Sequence, residues 1–107
     1  MIIVRGTTPS ISCDIPEYIP MQEASEVWFT LKQNGTMIAD GIMSQGTVFL
    51  SNQTVTVYLS QEQTLALRAG FKAALGIRIL LTNGQAYASY DSEGVIVKDV
   101  VKGGVIE

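Results

Sequence analysis

The chain has 107 residues, of which 47% are hydrophobic and 16% are charged. This length and composition predict one globular domain with a packed core, spanning residues 1–107, and exclude a disordered chain. Ten acidic and seven basic residues give a net charge of −3, and the basic residues are scattered along the chain. A groove for nucleic acid needs a basic face that neutralises phosphates, so nucleic acid is not expected as a partner.

Two residue types are scarce in a way that limits the chemistry. Histidine is absent and Cys13 is the only thiol. The chain therefore lacks Ser-His and Cys-His nucleophile pairs, the commonest zinc ligands and an internal disulfide. No signal-peptide pattern opens the sequence, and no apolar run reaches the roughly 18 residues of a membrane span. We expect a non-enzymatic protein that is made in the cytoplasm, stays off membranes and uses no metal or cofactor.

Alternation of apolar and polar residues dominates the chain and predicts strands with one buried face. β-branched residues and threonine fill the alternating segments, as is typical of a pleated, half-buried surface. The predicted strands, in chain order, are residues 2–5, 9–15, 26–33, 36–43, 47–51, 54–59, 74–82, 85–91 and 94–98.

Two Asn-Gly pairs, at residues 34–35 and 83–84, predict hairpins with two-residue type I′ turns. At the first turn this register sets Phe29 opposite Asp40, which is a poor match for a buried face. A β-bulge or the end of the strand is therefore expected near Asp40-Gly41.

The second turn gives a register in which pairing and burial agree. A two-residue loop at Asn83-Gly84 places all paired side chains on one face. The predicted pairs are Leu81 with Ala86, Ile79 with Ala88, and Ile77 with Tyr90.

One helix is predicted over residues 61–69. Ser60 is a suitable N-cap, and Gln63 completes a capping box three positions later. Gly70 suits the left-handed position that follows a helix. A helix this short is not stable alone in water, so it is expected to dock as a crossover across one end of the sheets.

Many short strands with one short helix predict an all-β, two-sheet immunoglobulin-like sandwich with the helix as a crossover. The tight turn at Asn34-Gly35 counts against strict immunoglobulin topology, in which the second and third strands lie in different sheets. Residues 99–107, which include Gly103-Gly104, are expected to form a flexible tail.

The polar and reactive residues favour structural explanations. Cys13 alternates with Ile11 and Ile15, which predicts a buried and unreactive thiol. Residues 91–94, Asp-Ser-Glu-Gly, are consistent with a calcium loop but are more typical of a turn. No catalytic, cofactor-binding or metal site is predicted.

Several large side chains fall in the outward phase of their strands. Trp and Tyr are typical anchors of protein interfaces and also line carbohydrate platforms. Cover by loops or by the helix is an equally good explanation. The candidate interface residues are Trp28, Tyr58, Leu80 and Tyr87, with Met37 beside them.

Four segments taken together resemble a family of short proteins from phages and prophages of Gram-positive bacteria, encoded in the tail and baseplate region. These segments are residues 5–9, 55–65, 86–89 and 97–106. The family's motifs are structural, so the resemblance implies a virion-associated structural role and no catalytic residues. Residues 13–18 depart from the pattern.

The leading hypothesis is a phage structural or assembly protein whose partners are other virion or tail proteins, or further copies of itself. It would then reside in the virion. The short apolar segments 2–4 and 94–97 either close the sandwich or pair with the sheet edge of a neighbour. The alternative is a small ligand-binding or carbohydrate-binding module, which needs Trp28 and Tyr58 exposed beside polar groups.

Overall fold

The computed structural model describes residues 1–90, 94–100 and 104–106, and for Tyr90 it describes the backbone alone. These residues form nine strands, one α-helix and two short 3₁₀ turns. The strands are β1 Ile2–Val4, β2 Ser10–Asp14, β3 Ala24–Gln33, β4 Thr36–Ile42, β5 Val48–Ser51, β6 Thr54–Tyr58, β7 Ala74–Leu81, β8 Ala86–Tyr90 and β9 Ile96–Lys98. The helix is α1 Gln61–Leu65, and the 3₁₀ turns are Met21–Glu23 and Met43–Gln45.

Two antiparallel sheets make up the sandwich. The larger sheet has the strand order β4-β3-β7-β8, and the smaller sheet has the order β2-β6-β5. The terminal strands β1 and β9 pair in parallel, with Ile3 opposite Val97. Ala73 and Val95 exchange two backbone hydrogen bonds of 2.9 and 2.7 Å, which join the start of β7 to the segment before β9. The terminal pair is therefore a separate two-stranded sheet that one bridge links to the start of the larger sheet.

This topology confirms the immunoglobulin-like sandwich. The smaller sheet corresponds to strands B, E and D of an immunoglobulin domain, and the larger sheet corresponds to C′, C, F and G of the variable type. The chain passes from one sheet to the other between β2 and β3. The Asn34-Gly35 turn instead joins β3 to β4 within the larger sheet, so the tight hairpin does not conflict with this topology.

Apolar side chains from the inner faces of both sheets fill the core. Val27, Phe29 and Leu31 of β3 are at most 1% exposed, and they belong to the same buried cluster as Ile11 and the inward residues of β6. A buried side chain of this size contributes about 1.5–3 kcal/mol. With one cysteine in the chain, the disulfide that joins the sheets of antibody domains cannot form, and apolar packing takes its place.

The first hairpin has the predicted turn but a different bulge. Asn34 and Gly35 have φ values of 52° and 77°, as a type I′ turn requires. The pairing shifts so that Lys32 lies opposite Met37 and Leu31 opposite Ala39. The extra residue is therefore Ile38, and the predicted bulge position near Asp40-Gly41 is wrong. The shift places Gly41 opposite Phe29 and turns Asp40 toward solvent.

The second hairpin has a different register from the predicted one. The Leu81 N–H donates to the Gln85 carbonyl at 2.8 Å, and the Gly84 N–H donates to the Leu81 carbonyl at 3.0 Å. Gly84 has a φ of 89°, and Asn83 is not in the left-handed region. This is a three-residue loop with a glycine bulge, which fits the same Asn-Gly pair.

The longer loop shifts the pairing by one residue. Leu80 lies opposite Ala86, and Ile79 lies opposite Tyr87, so the predicted pairs Leu81 with Ala86, Ile79 with Ala88 and Ile77 with Tyr90 are wrong. A shift of one residue turns every side chain of a strand to the other face. Tyr87 consequently packs against the core, and Ala86 and Ala88 are exposed.

The helix is shorter than predicted. The capping box forms as expected, since Gln63 N–H donates to Ser60 Oγ at 3.2 Å and Ser60 N–H donates to Gln63 Oε1 at 2.9 Å. The helix ends at Leu65 rather than at residue 69. Gly70 has the expected positive φ of 87°, but it follows an irregular segment. The helix does connect the smaller sheet to the larger one, as predicted.

A buried glutamine holds the segment that ends the helix. Gln33 is 4% exposed, and its Nε2 donates to the carbonyls of Arg68 and Phe71 at 2.8 and 2.9 Å. Its Oε1 accepts from the Arg68 N–H at 2.6 Å. Arg68 N–H is thereby bonded to a side chain instead of to a helical carbonyl, which explains why the helix does not continue.

The helix is also fastened to the two ends of the chain. Thr64, which is fully buried, donates to the Thr7 carbonyl at 2.8 Å. Arg5 donates to the Leu65 carbonyl at 3.0 Å and forms a 2.7 Å salt bridge with Asp99.

The predicted tail, residues 99–107, is described in part. Residues 101–103 and 107 lie outside the described residues, as do residues 91–93 of the predicted 91–94 turn. Residues 99–100 and 104–106 have no strand or helix, and Ile106 N–H donates to Gln61 Oε1 at 2.7 Å. The flexibility of the tail stays a prediction.

Replacing Gly84 with valine is expected to destabilise the fold by more than about 1 kcal/mol, because a β-branched residue resists positive φ. Gln85→Val, at the position directly after the loop and without positive φ, is the control. Urea unfolding measures both variants. An unchanged midpoint for Gly84→Val would contradict the glycine bulge.

Replacing Gln33 with leucine keeps the volume but removes three hydrogen bonds. The partly buried backbone groups of residues 68 and 71 then lose their partners, at up to about 1–3 kcal/mol for each group. We expect a loss of about 2 kcal/mol or more in unfolding free energy by urea titration. Gln45→Leu, at an exposed position, should change it little. Equal stability of the two variants would refute the role given to Gln33.

Candidate functional site

The outward side chains of the larger sheet form the candidate site, which we call the outer face. It includes three large apolar side chains that are about half exposed, namely Trp28 at 47%, Met37 at 54% and Leu80 at 44%. No helix or loop among the described residues covers them. The outer face consists of Glu26, Trp28, Thr30, Lys32, Met37, Asp40, Ile42, Ala74, Gly76, Arg78, Leu80, Ala86 and Ala88.

Trp28 and Arg78 form the centre of the outer face. They lie opposite each other on β3 and β7, and the Arg78 guanidinium sits 5.4 Å from the centroid of the Trp28 ring. This cation–π contact is worth about 0.5–1 kcal/mol at an exposed site. It holds both side chains in place before any partner arrives, which lowers the entropy cost of binding.

A groove of about 480 Å³ runs along the outer face beside this pair. Trp28 and Met37 line the groove, with Gly76 and Gly41 also contributing. Charged groups of both signs, Lys32, Asp40 and Arg78, are among its lining residues. A smaller hollow of about 140 Å³ also borders Trp28 and is lined by Glu26, Arg78, Ile79, Leu80 and Ala86.

Glu26 is held in one orientation at the edge of the outer face. Its Oε1 accepts from the N–H groups of Ser44 and Val27 at 3.1 and 3.2 Å. Hydrogen bonding by the Ser44 side chain, and then by backbone N–H groups, lowers the pKa of Glu26 below 4.5. The outer face therefore carries a fixed carboxylate at neutral pH.

The outward side of the smaller sheet has a different character. Its polar side chains bond to one another, with Ser12 to Thr56 at 3.1 Å and Asp14 to Thr54 at 2.9 Å. Tyr58, which is 64% exposed, packs edge-on against Phe49 with the ring centroids 5.7 Å apart. The polar side chains on this side already bond to one another, so fewer of them are available to bind a partner.

The four predicted interface residues do not form one surface. Trp28 and Leu80 lie together on the outer face, as predicted, whereas Tyr58 lies on the opposite sheet. Tyr87 is half-buried against the core, so its predicted outward position is wrong because the register of β8 is shifted by one residue. Sequence reasoning did not include Arg78 or Gly76, although both share the phase of Leu80 along β7.

Cys13 is less buried than predicted. It packs against the core but is half-buried, because β2 lies at one edge of the smaller sheet and, among the described strands, pairs with β6 alone. The low reactivity expected of Cys13 stays a prediction. Within the described residues, no group of three or more carboxylates and thiols is arranged to hold a metal ion.

No strand or helix is predicted from sequence for the segment between β2 and β3. In the structure, hydrogen bonds from one glutamine hold this segment. Gln53 Nε2 lies within donating distance of the carbonyls of Ile15, Pro16 and Ile19, at 3.0 to 3.3 Å. Its Oε1 accepts from the Met21 N–H at 3.2 Å. The turn at Asn52-Gln53 thereby orders the loop that carries Tyr18, which is 74% exposed.

Comparisons with known proteins support the fold and leave the family open. No protein-family model matches the chain, and no curated protein does. The first immunoglobulin-like domain of human CD48 antigen, a solution structure, is similar over 100% of this chain and 87% of that chain, with 19% identity and a TM-score of 0.50. Extracellular domains 3–5 of Drosophila OTK match 95% of this chain and 32% of that chain, with 13% identity and a TM-score of 0.36.

The CD48 match independently supports the immunoglobulin-like fold, and at 19% identity it shows the fold alone. In the part of the chain that the structure describes, no helix has the length and apolar character needed to span a membrane.

The lowered pKa of Glu26 predicts a pH-dependent contribution to stability. The folded pKa lies below 4.5, so the contribution is complete above that value and is lost as the pH falls through the folded pKa. The difference in thermal midpoint between the natural protein and Glu26→Gln should therefore shrink from pH 7 to pH 3. Ser44→Ala should reduce the same pH dependence. A constant difference across the range would contradict the assignment.

Proposed function

We propose that this protein works by association with other proteins through its outer face and catalyses nothing. The observation that carries the proposal is the uncovered Trp28, held by Arg78 between half-exposed Leu80 and Met37. Trp and Arg are the residue types that most often dominate binding energy at interfaces. Apolar anchors surrounded by charges also fit the composition of a protein-binding surface.

The setting of this association is proposed to be a phage particle. The resemblance of residues 5–9, 55–65, 86–89 and 97–106 to short virion-associated proteins supports it, and it implies virion or tail proteins as partners. A small sandwich with one exposed flat face suits the symmetric packing of such assemblies. The proposed location is therefore the virion.

Carbohydrate binding is a weaker candidate. Half-exposed Trp28 lies in a groove with the polar groups of Thr30 and Asp40, which suits a sugar. The Arg78 guanidinium, however, already lies over the Trp28 ring, and a sugar that stacks there must displace it. Tyr58, the other aromatic that a platform would need, lies on the opposite sheet.

The test compares Trp28→Ala with Tyr58→Ala, a matched aromatic truncation on the opposite sheet. Sedimentation measures binding to purified phage particles, and calorimetry measures binding to the proteins encoded by neighbouring genes. Trp28→Ala should weaken binding by about 2 kcal/mol or more, and Tyr58→Ala should leave it nearly unchanged. Equal losses of binding affinity in the two variants would show that the outer face is not the binding surface. Catalytic turnover, or sugar binding on a glycan array without any protein partner, would overturn it.

A further inference from the structure

Gly76 is a glycine whose backbone conformation does not require glycine. It lies in the interior of β7 with extended backbone, opposite Thr30 on one side and Tyr90 on the other. Its φ lies outside the left-handed region, and no heavy atom of the described side chains lies within 4 Å of a Cβ atom built there. Glycine weakens a strand interior and often marks a place where another molecule approaches the backbone.

Gly76 is one of the residues that line the groove of the outer face. The half-exposed side chains of Trp28 and Met37 also line that groove. The outer face therefore carries both a recess and large apolar side chains of a size to fill one. A surface with both features can pack against a copy of itself about a two-fold axis.

The charges of the outer face are also self-complementary. Lys32 and Arg78 are balanced by Glu26 and Asp40, so the face has no net charge. Lys32 and Asp40 take part in no ion pair within the described part of the chain. A two-fold axis through the groove would set Lys32 of one copy against Asp40 of the other, twice per dimer.

From the recess and the charge balance, we infer that the outer face binds a second copy of this chain. A large apolar side chain of each copy, Trp28 or Met37, fills the space above Gly76 of the other. The contact needs about 800 Å² from each copy, roughly an eighth of the 6603 Å² surface. This inference rests on the proposed function and names one partner for the same surface.

The first test fills the recess. Sedimentation equilibrium from about 1 μM to about 1 mM covers the affinities expected for such a dimer. The natural chain should dimerise, and Gly76→Val should raise the dimer dissociation constant at least about tenfold, with a thermal midpoint that is unchanged or higher. Gly76→Ala is the milder variant, and Thr56→Val on the opposite sheet is the control. A Gly76→Val chain that dimerises normally would overturn the inference.

The second test reverses charges. Lys32→Glu alone and Asp40→Lys alone should each weaken the dimer by setting like charges together. An equimolar mixture of the two variants should form a mixed dimer with affinity restored, because opposite charges then meet at both contacts. No restoration in the mixture would exclude the pairing of Lys32 with Asp40.

Failure of this inference is distinguishable from failure of the proposed function. A natural chain that stays monomeric over the whole concentration range, yet loses particle binding in Trp28→Ala, would overturn the second copy as occupant. The association proposal would then stand with a different partner. A dimer that depends on Gly76 supports both.

Discussion

The placement of β3 between β4 and β7 determines both surfaces of the larger sheet. Its inward residues, Val27, Phe29 and Leu31, are buried in the core. Its outward residues, Trp28, Thr30 and Lys32, are consequently fixed on the outer face. Burial of the first set specifies the register, because a slip of one residue would exchange the two sets. The candidate site is thus a direct consequence of core packing, with no loop needed to build it.

Period-two alternation is a strong predictor here because each sheet has one buried face and one outward face. Together with the turn signals and the apolar segments near both ends, it gave all nine strands to within a few residues, and the capping box gave the start of the helix. The end of the helix depends on Gln33, which is 35 residues away from Arg68 in sequence. Local rules do not include such a bond, so they extended the helix to residue 69.

The hairpin at Asn83-Gly84 shows where a short motif is ambiguous. Asn-Gly fits a two-residue type I′ loop and also a type I turn followed by a glycine bulge. The two loops differ by one residue in register and so exchange the faces of β8. Packing of Tyr87 against the core agrees with the second. For this reason the sequence predicts the outward orientation of Trp28 and Leu80 correctly but not that of Tyr87. The groove beside Gly76 is formed by side chains of several strands, so it is recognised only once their pairing is known.

The ends of the chain indicate which kind of surface remains for association. The apolar segments 2–4 and 94–97 had two possible uses, closing the sandwich or pairing with the sheet edge of a neighbour. In the structure Ile3 pairs with Val97, and both are at most 4% exposed. These strands therefore pair with each other along one edge, which supports the use that closes the sandwich. On the outer face, Arg78 already holds Trp28 in an exposed position. The cost of ordering the contact residues is thereby reduced before binding, which favours the face of the larger sheet over the terminal strands as the surface of association.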